Sequence, residues 1–135
     1  MNKTSEGNML DFLTMGIAMI AISIVVFVSL NVMDLMITKL EVSQIARKYI
    51  LVMETRGYLA EDDKADMFNE LGQVGLRDID IVGTTLQSVG YGENIILSIK
   101  GNVSGWKASV GNIWTKVFEI EEYEVEEKRM STAKN

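Results

Sequence analysis

Three residue types that commonly direct protein chemistry are missing from this chain. It has no cysteine, no histidine and no proline among its 135 residues. Without cysteine there is no disulfide framework and no thiolate, and without histidine the commonest general base and transition-metal ligand are lacking. Without proline, nothing obliges a long helix to kink. We therefore expect a protein that is not an enzyme, with no catalytic, metal or cofactor site.

Positive charge is also scarce. Lysine and arginine together number 13 against 19 acidic residues, which gives a formal net charge of −6. Nucleic-acid binding requires a basic surface, so no nucleic-acid partner is expected, and no small-molecule substrate is evident. The glycines of GYGEN at 90–94 join two predicted strands and do not open a helix, which favours a hairpin loop over a phosphate-binding loop.

What the chain does have is one long uncharged run. Residues Phe12 to Met33 carry no charged side chain, with Asp11 before them and Asp34 after them. About 20 apolar residues, each rising about 1.5 Å along a helix, match a hydrocarbon core about 30 Å thick. We predict a leader at 1–8 and a transmembrane helix over 9–34. The run exceeds the apolar part of a secretory signal, so it is expected to be retained.

The same helix is expected to continue over 35–57 as an amphipathic segment. Apolar residues recur there at seven-residue spacing in two adjacent sets, which predicts a packing face. Gly57 can take the left-handed position that ends a helix. The partner of this face stays open between the head domain of the same chain, neighbouring copies, or both. The residues expected to pack are Leu35, Val42, Ile45, Tyr49 and Val52, with Gly16 allowing close approach in the span.

Residues 58–135 are predicted to form a small α+β head domain that begins with a short helix. Asp62 or Asp63 is expected to cap this helix, and Gly72 is expected to end it. The apolar residues expected on its buried face are Ala65, Phe68 and Leu71.

A three-stranded antiparallel sheet is expected to complete the head. Apolar and polar residues alternate over 76–86 and over 94–103, and a loop with two glycines at 88–94 separates them. This pattern predicts two half-buried strands joined as a hairpin. The apolar face of the two strands is the natural seat for the amphipathic half of the long helix.

The last part of the sheet is harder to predict. For 104–112 we favour a loop that folds Trp106 onto the core, with a helix as the alternative. A third strand is expected over 114–130, with a bulge near Glu121 and Glu122 because the alternation slips there by one residue. The carboxylates expected on a solvated edge are Glu119, Glu121, Glu122, Glu124, Glu126 and Glu127.

The start of the chain resembles the class III signal of type IV pilin-like proteins. GNMLDF at Gly7–Phe12 is similar to the G-x-x-x-x-E-F opening of TadE-like pseudopilins, and the predicted α+β layout also resembles that superfamily. The resemblance implies cleavage after Gly7 by a prepilin peptidase, so that the new amine of Asn8 pairs with the acid of a neighbouring subunit. In this chain the acid is Asp11, an aspartate at the fourth position after the cut instead of a glutamate at the fifth. An interfacial acid that favours the helix N-terminus is the other interpretation of Asp11.

The resemblance further implies a structural subunit of a cell-surface filament or of a secretion or pilus assembly system. Its partners would be the membrane and other pilin-like subunits. Two alternatives stay open: a single-span accessory component of a secretion or conjugation machine that docks a partner helix on 35–52, and a membrane-tethered binding module.

The pilin-like orientation places the N-terminus in the cytoplasm and the head outside. Lys39, Arg47 and Lys48 follow the span, whereas only Lys3 precedes it, and this count favours the reverse. We keep the pilin-like orientation because other determinants matter when the N-terminal tail is short.

Overall fold

The computed structural model describes residues 3–108 and 118–135 as two helices and a three-stranded antiparallel sheet. The α+β layout predicted from the sequence is confirmed. Along the sheet the strand order is β1-β2-β3. The elements in chain order are α1 (Lys3–Arg56), α2 (Glu61–Gln73), β1 (Arg77–Asp80), β2 (Asn94–Ala108) and β3 (Phe118–Thr132).

Helix α1 is a continuous helix of 54 residues, about 80 Å long. It begins at Lys3 and so includes most of the predicted leader. At its other end Gly57 has a φ of +79° and donates its backbone N–H to the Met53 carbonyl oxygen at 2.6 Å. A Cβ at Gly57 would lie 2.8 Å from the Val89 carbonyl oxygen. Glycine is therefore required here both for the backbone conformation and for the close approach of the loop.

The core lies between the second half of α1 and the inner face of the sheet. Val42, Ala46, Tyr49 and Met53 form one buried line along the helix, at the spacing of a single helix face. Strand β2 contributes every second residue, as the alternation predicted. Its buried residues are Ile95, Leu97, Ile99, Gly101 and Val103.

Strand β1 is much shorter than the strand predicted over 76–86. It pairs with β2 opposite Lys100 and Asn102, with an irregularity between the two pairs, and Asp78 has a φ of +50°. At Gly101, a Cβ would lie 2.9 Å from a carbonyl oxygen of β1. The absence of a side chain at Gly101 therefore lets β1 lie close against β2.

The connection at 81–93 follows the edge of β2 and is longer than the predicted hairpin loop. Thr84 Oγ1 donates to the Ser98 carbonyl oxygen and accepts from the Ser98 N–H, both at 3.0 Å. The Thr85 N–H donates to the Ile96 carbonyl oxygen at 2.8 Å. These two threonines satisfy the β2 backbone where β1 has ended, which the alternation of apolar residues does not reveal.

Strands β2 and β3 pair in a continuous register over the whole of β3. The bulge predicted near Glu121 and Glu122 is therefore wrong. With no bulge to correct the phase, Ile120 faces outward and Tyr123 faces α1. The strand itself is regular, and the one-residue shift in the sequence pattern arises because its apolar residues change from the outer face to the inner face along its length.

The loop predicted over 104–112 is wrong for 104–108, which belong to β2. Trp106 is 49% exposed on the outer face of the sheet and is not folded onto the core. The remainder of that prediction, and the first residues of the strand predicted over 114–130, lie outside the described residues.

The acids predicted to cap α2 lie inside its first turn, and Ala60 occupies the cap position. Asp62 and Asp63 instead lie 3.1 and 3.3 Å from Arg56 Nη1. Their negative charges still interact favourably with the positive end of the α2 dipole. Their ion pairs with Arg56 also connect the end of α1 to the start of α2. On the packing face of α2, Met67 and Leu71 are buried, Phe68 is half-buried and Ala65 is exposed.

Candidate functional site

The first half of α1 is exposed on every side. Among the described residues, α1 is the helix whose length and composition would let it cross a membrane, and none of its most apolar window is buried inside the protein. An apolar helix that served as the core of a soluble domain would be covered by other elements. An uncovered one of this length is compatible with a membrane anchor.

Polar side chains in the apolar segment bond to the helix itself. The hydroxyls of Thr14, Ser23 and Ser29 donate to the carbonyl oxygens four residues earlier, each at 2.8 Å. The side-chain amide of Asn31 does the same at 2.8 Å. Hydrocarbon supplies no hydrogen-bonding partner, so this pattern lets the segment face lipid with the three hydroxyl donors satisfied.

The residues predicted for processing and assembly lie near the start of α1. Gly7, Asn8 and Asp11 are helical and exposed. At Gly16, a Cβ would meet no atom within 4 Å other than its own helix backbone. Within the described part of the chain, these positions are thus accessible to a membrane, a peptidase or a neighbouring helix.

The packing stripe predicted on the second half of α1 is covered by the head of the same chain. Val42 and Tyr49 are buried there. Of the partners that the sequence left open, the head is the one seen in the single chain. A helix from another protein would have to displace the sheet to dock on this stripe. The half-buried members of the stripe are Leu35, Ile45 and Val52.

A polar cluster fastens α2 to this stripe. Tyr49 Oη donates to Glu70 Oε1 at 2.8 Å, and Lys48 Nζ binds the same oxygen. The Lys48 hydrogen bond, followed by that from Tyr49, lowers the pKa of Glu70 below its ordinary value. Burial, followed by the hydrogen bond to Glu70, raises the pKa of Tyr49. The phenol therefore stays a hydrogen-bond donor at neutral pH.

A second cluster holds the last residues of the chain on α1. The Glu54 carboxylate accepts hydrogen bonds from Ser131 Oγ and from Lys134 Nζ, the latter at 2.7 Å. The Lys134 backbone N–H donates to the Glu54 carbonyl oxygen, also at 2.7 Å. The hydrogen bonds from Lys134 and then Ser131 lower the pKa of Glu54, so the carboxylate is charged at neutral pH.

A third cluster shows that the predicted row of solvated carboxylates is divided between two faces. Ser43 Oγ donates to Glu127 Oε1 at 3.3 Å and accepts from Arg129 Nη2 at 2.7 Å. Arg129 Nε lies 3.2 Å from the same Glu127 oxygen. Glu127 is therefore part of the contact between β3 and α1. Glu121 is half-buried as well, whereas Glu122, Glu124 and Glu126 are exposed.

The opposite side of α1 stays apolar and exposed beyond the end of the uncharged run. We call Met33, Met36, Ile37 and Leu40 the outer stripe; each is about half exposed or more. At 100° per residue, Met33, Ile37 and Leu40 lie on the side of the helix away from Val42. The outer stripe has its own signal in the sequence, because Met33, Ile37 and Leu40 are spaced by four and three residues. The stronger seven-residue pattern of the side that packs on the head obscures this signal.

The exposed apolar surface of α1, with the outer stripe at one end, is longer than a bilayer core is thick. Exposed apolar residues continue from Met9 to Leu40, which corresponds to about 48 Å of helix. The hydrocarbon core is about 30 Å thick, and even a tilt of about 40° leaves a span of about 37 Å. A bilayer core would therefore cover only part of this exposed apolar surface.

No protein-family model, curated protein or solved structure matches this chain. The pilin-like resemblance of its opening stays a prediction. The contacts and exposed faces of α1 are thus the basis for a functional proposal.

Proposed function

We propose that this protein is a membrane-anchored, pilin-like structural subunit that assembles through α1. The outer stripe is the observation that carries the proposal. It lies opposite the head and continues the apolar surface of the span beyond the length that a hydrocarbon core would cover. An apolar surface in that place is stabilised when a second helix covers it.

In the proposed assembly, α1 helices of neighbouring subunits pack side by side and the heads lie to the outside. Gly16 lets two spans approach closely. Asp11 lies at the start of the apolar run, where a carboxylate is costly unless it is paired or interfacial. Removal of the leader after Gly7 by a prepilin peptidase would create a partner for it, the α-amine of Asn8 on a neighbour. This proposal places the N-terminus in the cytoplasm and the head outside.

Disulfide crosslinking in membranes tests the helix contact. The chain has no native cysteine, so Leu40→Cys introduces a single thiol on the outer stripe. We expect mild oxidation to convert this variant into a covalent homodimer. Lys39→Cys is the matched control, because Lys39 is exposed but lies on another side of the same turn.

The outcomes of this experiment separate the proposed functions. A dimer formed by Leu40→Cys and not by Lys39→Cys supports assembly through the outer stripe. Equal yields from the two variants contradict it. A crosslink from Leu40→Cys to a different protein contradicts self-assembly and favours the accessory-component alternative.

N-terminal sequencing of the membrane-bound protein tests the processing step. We expect the mature chain to begin at Asn8, and Gly7→Val to block the cut while leaving the protein in the membrane. A full-length N-terminus together with a C-terminal tag in the cytoplasm would contradict the pilin-like proposal.

A further inference from the structure

One end of the head lies close to the point where α1 leaves its apolar run. The stretch of β2 at 103–106, which includes Trp106, lines the same groove as Asn31 and Asp34 of α1. A Cβ at the neighbouring Gly105 would lie 3.6 Å from Leu35 Cδ1. Strand β2 therefore runs alongside α1 toward the span, and it brings the edge of the head to the level where the helix would emerge from a bilayer.

The outer face of the sheet is apolar at this end. Trp106 pairs directly with Ile120 of β3, and the two side chains are 49% and 61% exposed. Farther along the same face the surface becomes charged, where Lys100 Nζ lies 3.2 Å from a Glu124 oxygen. We call Trp106 and Ile120 the interface pair.

The backbone around the interface pair suits a polar layer and not hydrocarbon. In the described part of the sheet, β1 pairs with β2 opposite Lys100 and Asn102, and the edge of β2 nearer to Trp106 lies beyond that pairing. Hydrocarbon does not tolerate an open sheet edge, because its backbone groups need partners. The headgroup layer provides water and lipid oxygens, and tryptophan is enriched there because its ring is apolar and its N–H is polar.

We propose that the interface pair is embedded in the headgroup layer of the same bilayer that holds α1, so that the head contacts lipid directly. This inference rests on the proposed anchor. Lipid is the occupant because the end of β2 that carries Trp106 lies beside Asp34, where the uncharged apolar run of α1 ends. The contact would restrict the tilt of the head relative to the membrane, because the head is then held both by α1 and by the sheet.

Tryptophan fluorescence tests this contact, because the chain contains two tryptophans. Trp114→Phe leaves Trp106 as the sole indole of the full-length protein. We would reconstitute this variant into phosphatidylcholine vesicles that carry bromine either near the start of the acyl chain or near its end. Shallow bromine is expected to quench Trp106 more than deep bromine does. Emission typical of water-exposed indole, with quenching by neither lipid, would overturn the inference.

Two further single-tryptophan variants, made with both Trp106→Phe and Trp114→Phe, calibrate the result. Ile20→Trp lies within the span and should be quenched best by deep bromine. Met130→Trp lies on the same face of the sheet, about 33 Å from Trp106 along the strands, and should not be quenched.

These variants distinguish failure of the inference from failure of the anchor. If Ile20→Trp is quenched and Trp106 is not, the anchor stands and the lipid contact is wrong. If neither is quenched, the anchor itself is wrong. Blue-shifted but unquenched emission from Trp106 would show that protein and not lipid covers it, which also overturns the lipid contact.

Discussion

The two halves of α1 belong to one helix, but their polar side chains differ in their hydrogen-bonding partners. In the first half, Ser23 and Ser29 bond to carbonyl oxygens of their own helix. Two threonines of the second half also bond to their own helix, but there Ser43 bonds to β3 and Tyr49 bonds to α2. The first pattern needs no other element and suits lipid. The second pattern requires the head. The same helix is therefore an exposed apolar helix at one end and part of a packed α+β domain at the other.

Apolar side chains show the same contrast. Around the first half they are exposed on all sides, whereas in the second half they are divided between a buried line toward the sheet and the outer stripe. Burial by the head is thus one-sided, and it leaves a surface for another partner. Substitutions that act on one half and spare the other can test this division.

The largest effect is expected at Met53, which is 0% exposed and lies on the buried line of α1. Met53→Ala should lower the free energy of unfolding of the head by about 2–5 kcal/mol, because it removes buried apolar surface and leaves a cavity. Urea unfolding of the full-length protein in detergent micelles, followed by hydrogen exchange of the β2 amides, would measure this. Attachment to membranes should be unchanged.

Leu51 provides the matched control for Met53, since it lies on the same helix but is 52% exposed. Leu51→Ala should change the free energy of unfolding by no more than about 0.5 kcal/mol. Equal destabilisation by the two substitutions would mean that burial by the head is not one-sided.

The converse effect is expected at Ile20, in the exposed apolar half. Ile20→Lys should disfavour membrane insertion by about 3–4 kcal/mol, which is the cost of a lysine at the centre of a span together with the lost contribution of the isoleucine. Alkaline carbonate extraction of membranes should release this variant and retain Ile20→Leu. Head stability in micelles should be the same for both, and loss of head folding in Ile20→Lys would show that the two halves are not independent.

Much of this architecture is visible in the sequence where a pattern is both local and unambiguous. Gly57 ends α1 as predicted, because a left-handed glycine after a periodic run is a local signal. The alternation through Ile95, Leu97 and Ile99 likewise identifies the buried face of β2. At these positions, the residues a few places away in the sequence are enough to predict the local structure.

Features that depend on contacts distant in the chain were not predictable in this way. The apolar phase of β3 changes near Glu121 without a bulge, because Ile120 and Tyr123 face different surroundings along one regular strand. The threonine contacts of the 81–93 connection and the pairing of Glu127 with Arg129 have no periodic signature. The outer stripe is likewise hard to predict, because only the packing of the sheet shows that the head leaves this second apolar side of α1 uncovered.

The smallest effect is expected from the contact that holds the chain end on α1, and it should depend on pH. The pKa of Glu54 is lowered from its ordinary value of 4.5, mainly by the hydrogen bond from Lys134. A lowered folded-state pKa stabilises the folded state above the unfolded-state pKa, and this stabilisation is lost as the pH falls through the folded-state value. Glu54→Gln should therefore destabilise the head at pH 7 and have little effect in acid, where Glu54 is itself protonated.

The pKa of Glu70 is also lowered, so Glu70 likewise makes the head less stable in acid. Comparing the parent with Glu54→Gln at each pH separates the contribution of Glu54 from that of Glu70. The difference between the parent and Glu54→Gln in urea midpoint should shrink as the pH falls below about 4.5. Lys134→Met should reduce the same pH-dependent difference, because it removes the principal cause of the pKa shift. A difference that stays constant from pH 7 down to strong acid would show that Glu54 contributes through packing and not through its charge. In that case the contribution of Glu54 to stability would not depend on ionisation. It would resemble in this respect the hydroxyls of the first half, which bond to carbonyl oxygens of their own helix.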